Sequence, residues 1–224
     1  MIGGMSWEST AIYYREANEF VRGRLGGLHS AKIVLASLDF QEISDLQNSD
    51  RWDEAAEILA RTARGLESAG ADVLLICTNT MHLLVDEVQA SVKIPVLHIG
   101  DVAGEAVAAQ GLTKVGLLGT AFTMEKAFYR DRIAGHGVEV IVPSEEDRQT
   151  VHRAIFKELA VGVCSETTRA RFGEIIGRLV ADGAQGIILG CTEIELLVTQ
   201  ADSPVPIFPT AKLHIEAAVD FALG

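Results

Sequence analysis

Positive charge is scarce in this chain: 19 Lys and Arg stand against 31 Asp and Glu, a formal net charge of −12. A surface of that sign repels phosphate backbones and anionic headgroups, which argues against nucleic acid or membrane as a partner. An anionic metabolite stays open, because backbone amides at helix N-termini can supply local positive potential. Long hydrophobic runs are also missing; none approaches the roughly 18 residues a membrane span needs. The start has no basic segment followed by an apolar stretch, so no secretory signal is expected. Cysteine is rare: three residues, odd in number and without paired spacing, do not make a disulfide framework, and a reducing cytoplasm is the expected setting. The six histidines include no i, i+4 pair, so no metal site is expected. The glycines at 23, 26 and 27 lack dinucleotide-fingerprint and Walker spacing and read as a loop. With only five prolines and no low-complexity stretch, no linker separates parts of the chain.

What is present is an alternation of short apolar runs with amphipathic segments. Strands are expected at 32–38, 72–77, 95–99, 114–118, 138–142, 186–190 and 205–208; most are continuous apolar runs, as in parallel sheets covered on both faces. Helices are expected at 7–22, 53–69, 81–90, 102–109, 122–134, 145–159, 166–181 and 210–223. The helix at 53–69 puts Ala56, Leu59, Ala60, Ala63 and Leu66 on one face, opens with Asp53 and stops at Gly70.

One motif occurs twice. The first copy reads Ala69-Gly-Ala-Asp-Val-Leu-Leu-Ile-Cys-Thr-Asn-Thr80 and the second Asp182-Gly-Ala-Gln-Gly-Ile-Ile-Leu-Gly-Cys-Thr-Glu193. Aligned on Gly70 and Gly183, the apolar runs superpose and Thr78 falls opposite Cys191. A weaker pair, Gly4-Met-Ser-Trp-Glu with Gly119-Thr-Ala-Phe-Thr, supports the duplication. The second of these has a full strand before it, whereas the first has only Met1-Ile2-Gly3, so the chain begins about one strand late by internal comparison: a stubby first strand or a trimmed start. The repeat divides the chain into an α/β lobe of 1–98 with 208–224 and a second lobe of 99–207, the segment 205–223 being expected to return beside the first sheet.

In open parallel sheets, ligands bind beyond the carboxyl ends of the strands. Met5, Thr78, Thr120 and Cys191 all follow a candidate strand directly. The segments opening at Thr78-Asn79-Thr80 and at Cys191-Thr192-Glu193 lead into helices whose amides are expected to hold a carboxylate and to depress the Cys191 thiol pKa. A strand-end cysteine is ordinarily a small core residue; its place in the repeat is what singles out Cys191. Cys77 points away from Thr78 by alternation and is read as core, and Cys164 matches nothing in the repeat. For His82, a supporting role behind Thr78 and a packing or capping role both stay open.

At these strand ends the chain resembles the aspartate/glutamate racemase family, which needs no pyridoxal phosphate. The resemblance spans nearly the whole sequence and rests on Gly3-Gly-Met-Ser-Trp-Glu-Ser-Thr10, Leu25-Gly-Gly-Leu-His-Ser30, Cys77-Thr-Asn-Thr-Met-His82, Leu118-Gly-Thr120 and Gly190-Cys-Thr-Glu-Ile194. Within the family it is most similar to the bacterial L-aspartate/glutamate-specific or broad-specificity branch. The resemblance implies two similar α/β lobes, each a mainly parallel sheet flanked by helices. It also implies pseudo-symmetry between the lobes, an active site between them, no cofactor or metal, and a homodimer. The family's usual pair of opposed cysteines is represented by Thr78 and Cys191, with Cys191 facing the proton of the L enantiomer. By similarity, Met5, Gln47, Asn79, Thr80, Thr120, Thr192 and Glu193 contact the substrate's carboxylates and ammonium, Gln47 from a loop before Trp52. Pro209 departs from the acidic residue that many relatives carry after the last strand. The alternatives are a single-cysteine decarboxylase of the same superfold, a hydantoin racemase, or an inactive two-lobed amino-acid-binding protein. Fold alone does not separate them.

Overall fold

The computed structural model describes residues 1–224. Contacts divide the chain into two compact units, Met1–His98 with His214–Gly224, and Ile99–Leu213. Both are α/β, with parallel strand pairing and flanking helices.

The first unit runs β1 (Ile2–Gly3), α1 (Trp7–Leu25), β2 (Ala36–Ser37), α2 (Phe40–Asn48) and α3 (Trp52–Ser68). A 3-10 turn, Thr80–Leu84, then leads into α4 (Val85–Ala90). Its sheet is thin. β1 pairs in parallel with β2 through Ile2↔Ala36 and Gly3↔Ser37, and single parallel bridges join Ile2 to Ile76 and Leu74 to Val96. The expected strands 32–38, 72–77 and 95–99 shrink accordingly. A ladder is only as long as its partner, and β1 offers two residues; Val34 and Leu35 are left partly exposed. Helix α1 opens because Ser6 accepts the Ser9 amide, with Glu8 in the first turn, where negative charge suits the helix dipole. Helix α3 begins after Arg51, so Asp53 lies in its first turn and is not its cap. Its inner face, Ala55, Ala56, Leu59, Ala63 and Leu66, joins Ile2, Ile43, Leu74, Ile76 and Met81 in one core.

The second unit runs α5 (Ile99–Ala109), β3 (Lys114–Gly119), α6 (Ala121–Glu125), α7 (Ala127–Ala134), β4 (Glu139–Ile141), α8 (Glu145–Lys157) and α9 (Glu166–Ala181). It ends with β5 (Ile187–Gly190), β6 (Ile207–Pro209) and α10 (Thr210–Leu223), whose residues from His214 on belong to the first unit. The sheet order is β4-β3-β5-β6, all parallel. This corrects the expectation for 205–208. The strand stays in the second sheet, with Ile187↔Ile207 and Ile188↔Phe208 in register; only the later part of α10 returns to the first unit. The expected helix 122–134 breaks at Lys126, whose ψ of 143° is extended.

The helix end and glycine of the duplicated motif fold alike in both places, although only the second copy goes on to a full strand. Helix α3 ends at Ala69 (φ −81°, ψ 3°) and α9 at Asp182 (φ −81°, ψ 6°). Each is followed by a glycine in the left-handed region, Gly70 at φ 90° and Gly183 at φ 96°. Each then delivers its protic residue, Thr78 or Cys191, just before a five-residue 3-10 turn.

Gly4 is the backbone position with least freedom. Its φ is 88°, its amide donates to Thr10 Oγ1 at 2.8 Å, and a Cβ there would collide with the Leu38 backbone. Gly4→Ala is therefore expected to destabilise the protein by about 1–3 kcal/mol or more and to displace Met5. A lowered urea midpoint checks this; an unchanged midpoint would contradict the packing described.

Candidate active site

In the first unit, Met5, Gln47, Asn79, Thr80 and His82 are buried and Thr78 is partly exposed. Its backbone is held from several sides. The Thr78 amide donates to the Ile76 carbonyl at 2.8 Å, Ser9 Oγ donates to the preceding Cys77 carbonyl at 3.1 Å, and the Thr78 carbonyl lies 2.8 Å from His82 Nδ1. Gln47 does not lie in a loop as expected. It sits in the last turn of α2, is 6% exposed, and its Nε2 donates to Met81 Sδ at 2.8 Å. The missed helix carried its own signals: Asp39 capping Gln41, then Phe40, Ile43 and Leu46 at helical spacing.

Behind Thr78 lies a polar cluster that the sequence reading did not assemble. His82, His98 and His214 are all buried, with ring centroids 4.9 Å (His82–His98) and 5.5 Å (His82–His214) apart. His214 Nε2 donates to the Leu97 carbonyl at 3.0 Å, which leaves Nδ1 to accept from the Tyr13 hydroxyl at 2.9 Å. The available signal was a histidine on the apolar face of α10, among Ala211, Ile215, Ala218 and Val219. Burial first, then the neighbouring imidazoles, holds His82 well below its ordinary pKa. Burial, with His98 adding to it, brings His214 down to about 3.

The consequence for stability has a definite sign. An unfolded chain protonates these rings near pH 6.5 and the folded one does not, so their contribution is complete above 6.5 and is lost as pH falls, for His214 toward about 3. Between pH 6.5 and 5, before the carboxylates enter, unfolding free energy should fall by about 1.4 kcal/mol per pH unit for each ring kept neutral. Urea melts at successive pH values measure this, and a flat profile over that interval would contradict it.

In the second unit, Cys191 follows β5, and Thr120, Cys191, Thr192 and Glu193 are all at most 7% exposed. The Cys191 thiol donates to Glu193 Oε2 at 2.9 Å, and Thr192 Oγ1 donates to the same oxygen at 3.0 Å. Thr120 caps α6 by accepting the Thr123 amide, and the next amide, Ala121 N, donates to His152 Nδ1 at 3.1 Å. The expectation of a thiol pKa lowered by a helix dipole is overturned. Burial, then the Glu193 charge, pushes Cys191 well above its ordinary value. The following helix is only a five-residue 3-10 turn, too short to outweigh a carboxylate in contact with the sulfur. The resting group is thus a thiol already pointed at a base. Cys77 is fully buried and raised to about 12 by burial, as suits a core residue, and Cys164 is exposed. No three His, Cys, Asp or Glu side chains are arranged to hold a metal ion, and no helix is long and apolar enough to cross a membrane.

The dyad gives a testable asymmetry. Glu193→Gln removes the charge that raises the thiol pKa, so iodoacetamide should alkylate Cys191 faster at neutral pH. It also removes the proton acceptor, so any turnover that uses the thiolate should fall by about 10²-fold. Alkylation that slows would contradict the proposed electrostatics.

Comparison with known proteins places the chain in a family. The Asp/Glu/hydantoin racemase family matches residues 2–218. The broad-specificity amino-acid racemase of Bacillus subtilis is 26% identical over 172 residues, 77% of this chain and 74% of that protein. A crystal structure of a candidate Asp/Glu racemase from Yersinia pestis is 51% identical with a TM-score of 0.92, covering 100% of this chain and 97% of that one. An aspartate racemase homologue from Pyrococcus horikoshii is 34% identical with a TM-score of 0.87 over the same shares. With the family matching almost end to end and a strand-end cysteine hydrogen-bonded to a buried carboxylate, this chain belongs to the Asp/Glu/hydantoin racemase family.

Proposed function

We propose that the protein racemises amino acids, aspartate and glutamate foremost, by moving the Cα proton between Cys191 and Thr78 on opposite faces of the substrate, without pyridoxal phosphate. The observation that carries this reading is the 2.9 Å hydrogen bond from the Cys191 thiol to buried Glu193. The amino-acid racemases among its relatives support the substrate class. None of the lysines, the residue type that would hold pyridoxal phosphate as a Schiff base, is buried.

In the L-to-D direction, Glu193 takes the thiol proton and the Cys191 thiolate takes the Cα proton. The electron pair left on Cα is stabilised by donors around the substrate carboxylates, a role we assign to Asn79, Thr80, Thr120 and Thr192, with Met5 and Gln47 shaping the pocket. The Thr78 hydroxyl then delivers its proton to the opposite face and is reprotonated from water. The return direction must begin at Thr78, whose hydroxyl is a far poorer base than a thiolate, so the individual rate constants differ. The equilibrium constant between enantiomers still equals one. The three cysteines are free thiols, which suits a reducing cytoplasm, our proposed location. A homodimer is the proposed assembly, in keeping with the exposed Trp7 and Tyr14 of α1 and Leu28 just beyond it.

The test is the decay of circular dichroism from L-aspartate, L-glutamate and neutral amino acids such as L-homoserine. Signal decaying to zero without release of carbon dioxide, fastest for the acidic pair, is expected. Failure of every amino acid to decay, or loss of carbon dioxide, would overturn the reading.

A further inference from the structure

His82 is a buried imidazole that the proton transfer does not use, and one of its nitrogens meets no hydrogen-bond donor. Its Nδ1 lies 2.8 Å from the Thr78 carbonyl. A carbonyl only accepts, so Nδ1 must carry the proton and Nε2 is left as a bare acceptor. That Nε2 is fully buried and makes no hydrogen bond of good geometry; the other backbone group acting on the ring is the Leu97 carbonyl, which cannot donate to it, and the side chain is 1% exposed. A buried acceptor left without a donor is destabilising, so a purely structural site is better filled by a residue without that second nitrogen. The neighbours also act on the ring. His98 and His214 sit edge-on to it, and His214 is itself fixed by Tyr13 and Leu97. Protonating His82 there would place a cation in a buried, imidazole-lined space, which rules it out as a store for the substrate proton.

We propose that His82 is a positioning residue for the Thr78 face. Its Nδ1–H clamps the Thr78 carbonyl, fixing the Thr78–Asn79 peptide and with it the direction of the Thr78 hydroxyl. The 3-10 geometry makes this possible: His82 N donates to Asn79 O at 3.1 Å, so the ring folds back over the residue four positions earlier. This inference rests on the racemase reading for its kinetic consequences, not for its geometry.

Two variants separate positioning from packing. In His82→Asn, the side-chain NH₂ stands near the place of Nδ1 and keeps the donor while deleting Nε2. In His82→Leu, the volume stays and the donor is lost. With D-aspartate, whose proton faces Thr78, kcat should fall at least about tenfold in His82→Leu and recover to within about threefold of wild type in His82→Asn. Exchange of the L substrate's Cα proton, which uses Cys191, should stay within about twofold in both. Unchanged D-substrate kcat in His82→Leu would overturn the proposal, as would an equal fall in both directions that asparagine does not restore. The imidazole ¹⁵N spectrum of the wild-type protein supplies a test independent of turnover: His82 should appear as the neutral Nδ1–H tautomer. An Nε2–H tautomer or an imidazolium at neutral pH would overturn the clamp whether or not the protein is a racemase, and absent exchange with a correct tautomer would strike the racemase reading alone.

Discussion

Replacing Cys191 with alanine should lower racemisation of L-aspartate and L-glutamate by about 10²–10⁴-fold, the range a positioned acid or base contributes, while the protein stays folded. Only the sulfur is lost, at a strand end where Glu193 Oε2 keeps its bond from Thr192, so no buried carboxylate oxygen is stranded. The melting temperature should therefore fall by a few degrees at most. The effect should be confined to chemistry, with kcat falling and substrate affinity held, because the donors assigned to the carboxylates stand on Thr120, Thr192, Asn79 and Thr80. A variant that retains more than a small fraction of wild-type turnover would remove Cys191 from the role of base. Cys191→Ser is the companion: it preserves the hydrogen bond to Glu193 but not the thiol's acidity, and should be nearly as inactive.

Thr78→Cys is expected to act in the opposite sense. It places a thiol where the chain has a hydroxyl, and kcat from the D enantiomer should rise by about 10²-fold, with a smaller gain in kcat from the L enantiomer and equal gains in kcat/KM, as an equilibrium constant of one requires. Thr78 is partly exposed, so the new thiol keeps access to water and escapes the full burial that drives neighbouring Cys77 up to about 12. The fixed backbone at this position, with the 2.8 Å contacts to Ile76 and His82, aims the new side chain as it aims the old one. The variant is to be assayed under reductant, since a new thiol beside Cys77 is open to oxidation. If neither enantiomer's rate changes, the assignment of Thr78 to the second face is wrong.

Features set by local chemistry could be read before any fold was known. A helix running into a glycine, an apolar strand and a protic residue at its end all lie within a dozen positions. The two copies around Gly70 and Gly183 accordingly share their helix ends and glycine dihedrals, while the length of the strand that follows differs with its neighbours. What depends on partners distant in sequence was less legible. The apolar run 205–208 is a strand, but which sheet it joins is decided by β5, far from it in the chain. The run 32–38 looks like a full strand, yet pairs over only two residues because β1 offers no more. Gln47 was misread for a different reason: its helix is polar on most faces, and its Phe40, Ile43 and Leu46 stripe is short. The ionisation of Cys191 was the most instructive miss. Its helix-opening position argued for a thiolate, but the charge of Glu193, two residues on, reaches the sulfur in a buried setting and decides the sign the other way. A motif names the groups, whereas their protonation depends on burial and contact.

The most direct measurement is the fate of the Cα hydrogen when unlabelled L-aspartate is converted in D₂O and sampled early. Two groups on opposite faces predict D-aspartate carrying solvent deuterium at Cα from its first appearance, while the remaining L-aspartate is still almost unlabelled. D-aspartate that keeps its protium, or deuterium entering both enantiomers at equal rates from the start, would mean that a single group serves both faces, and would contradict the roles given to Cys191 and Thr78.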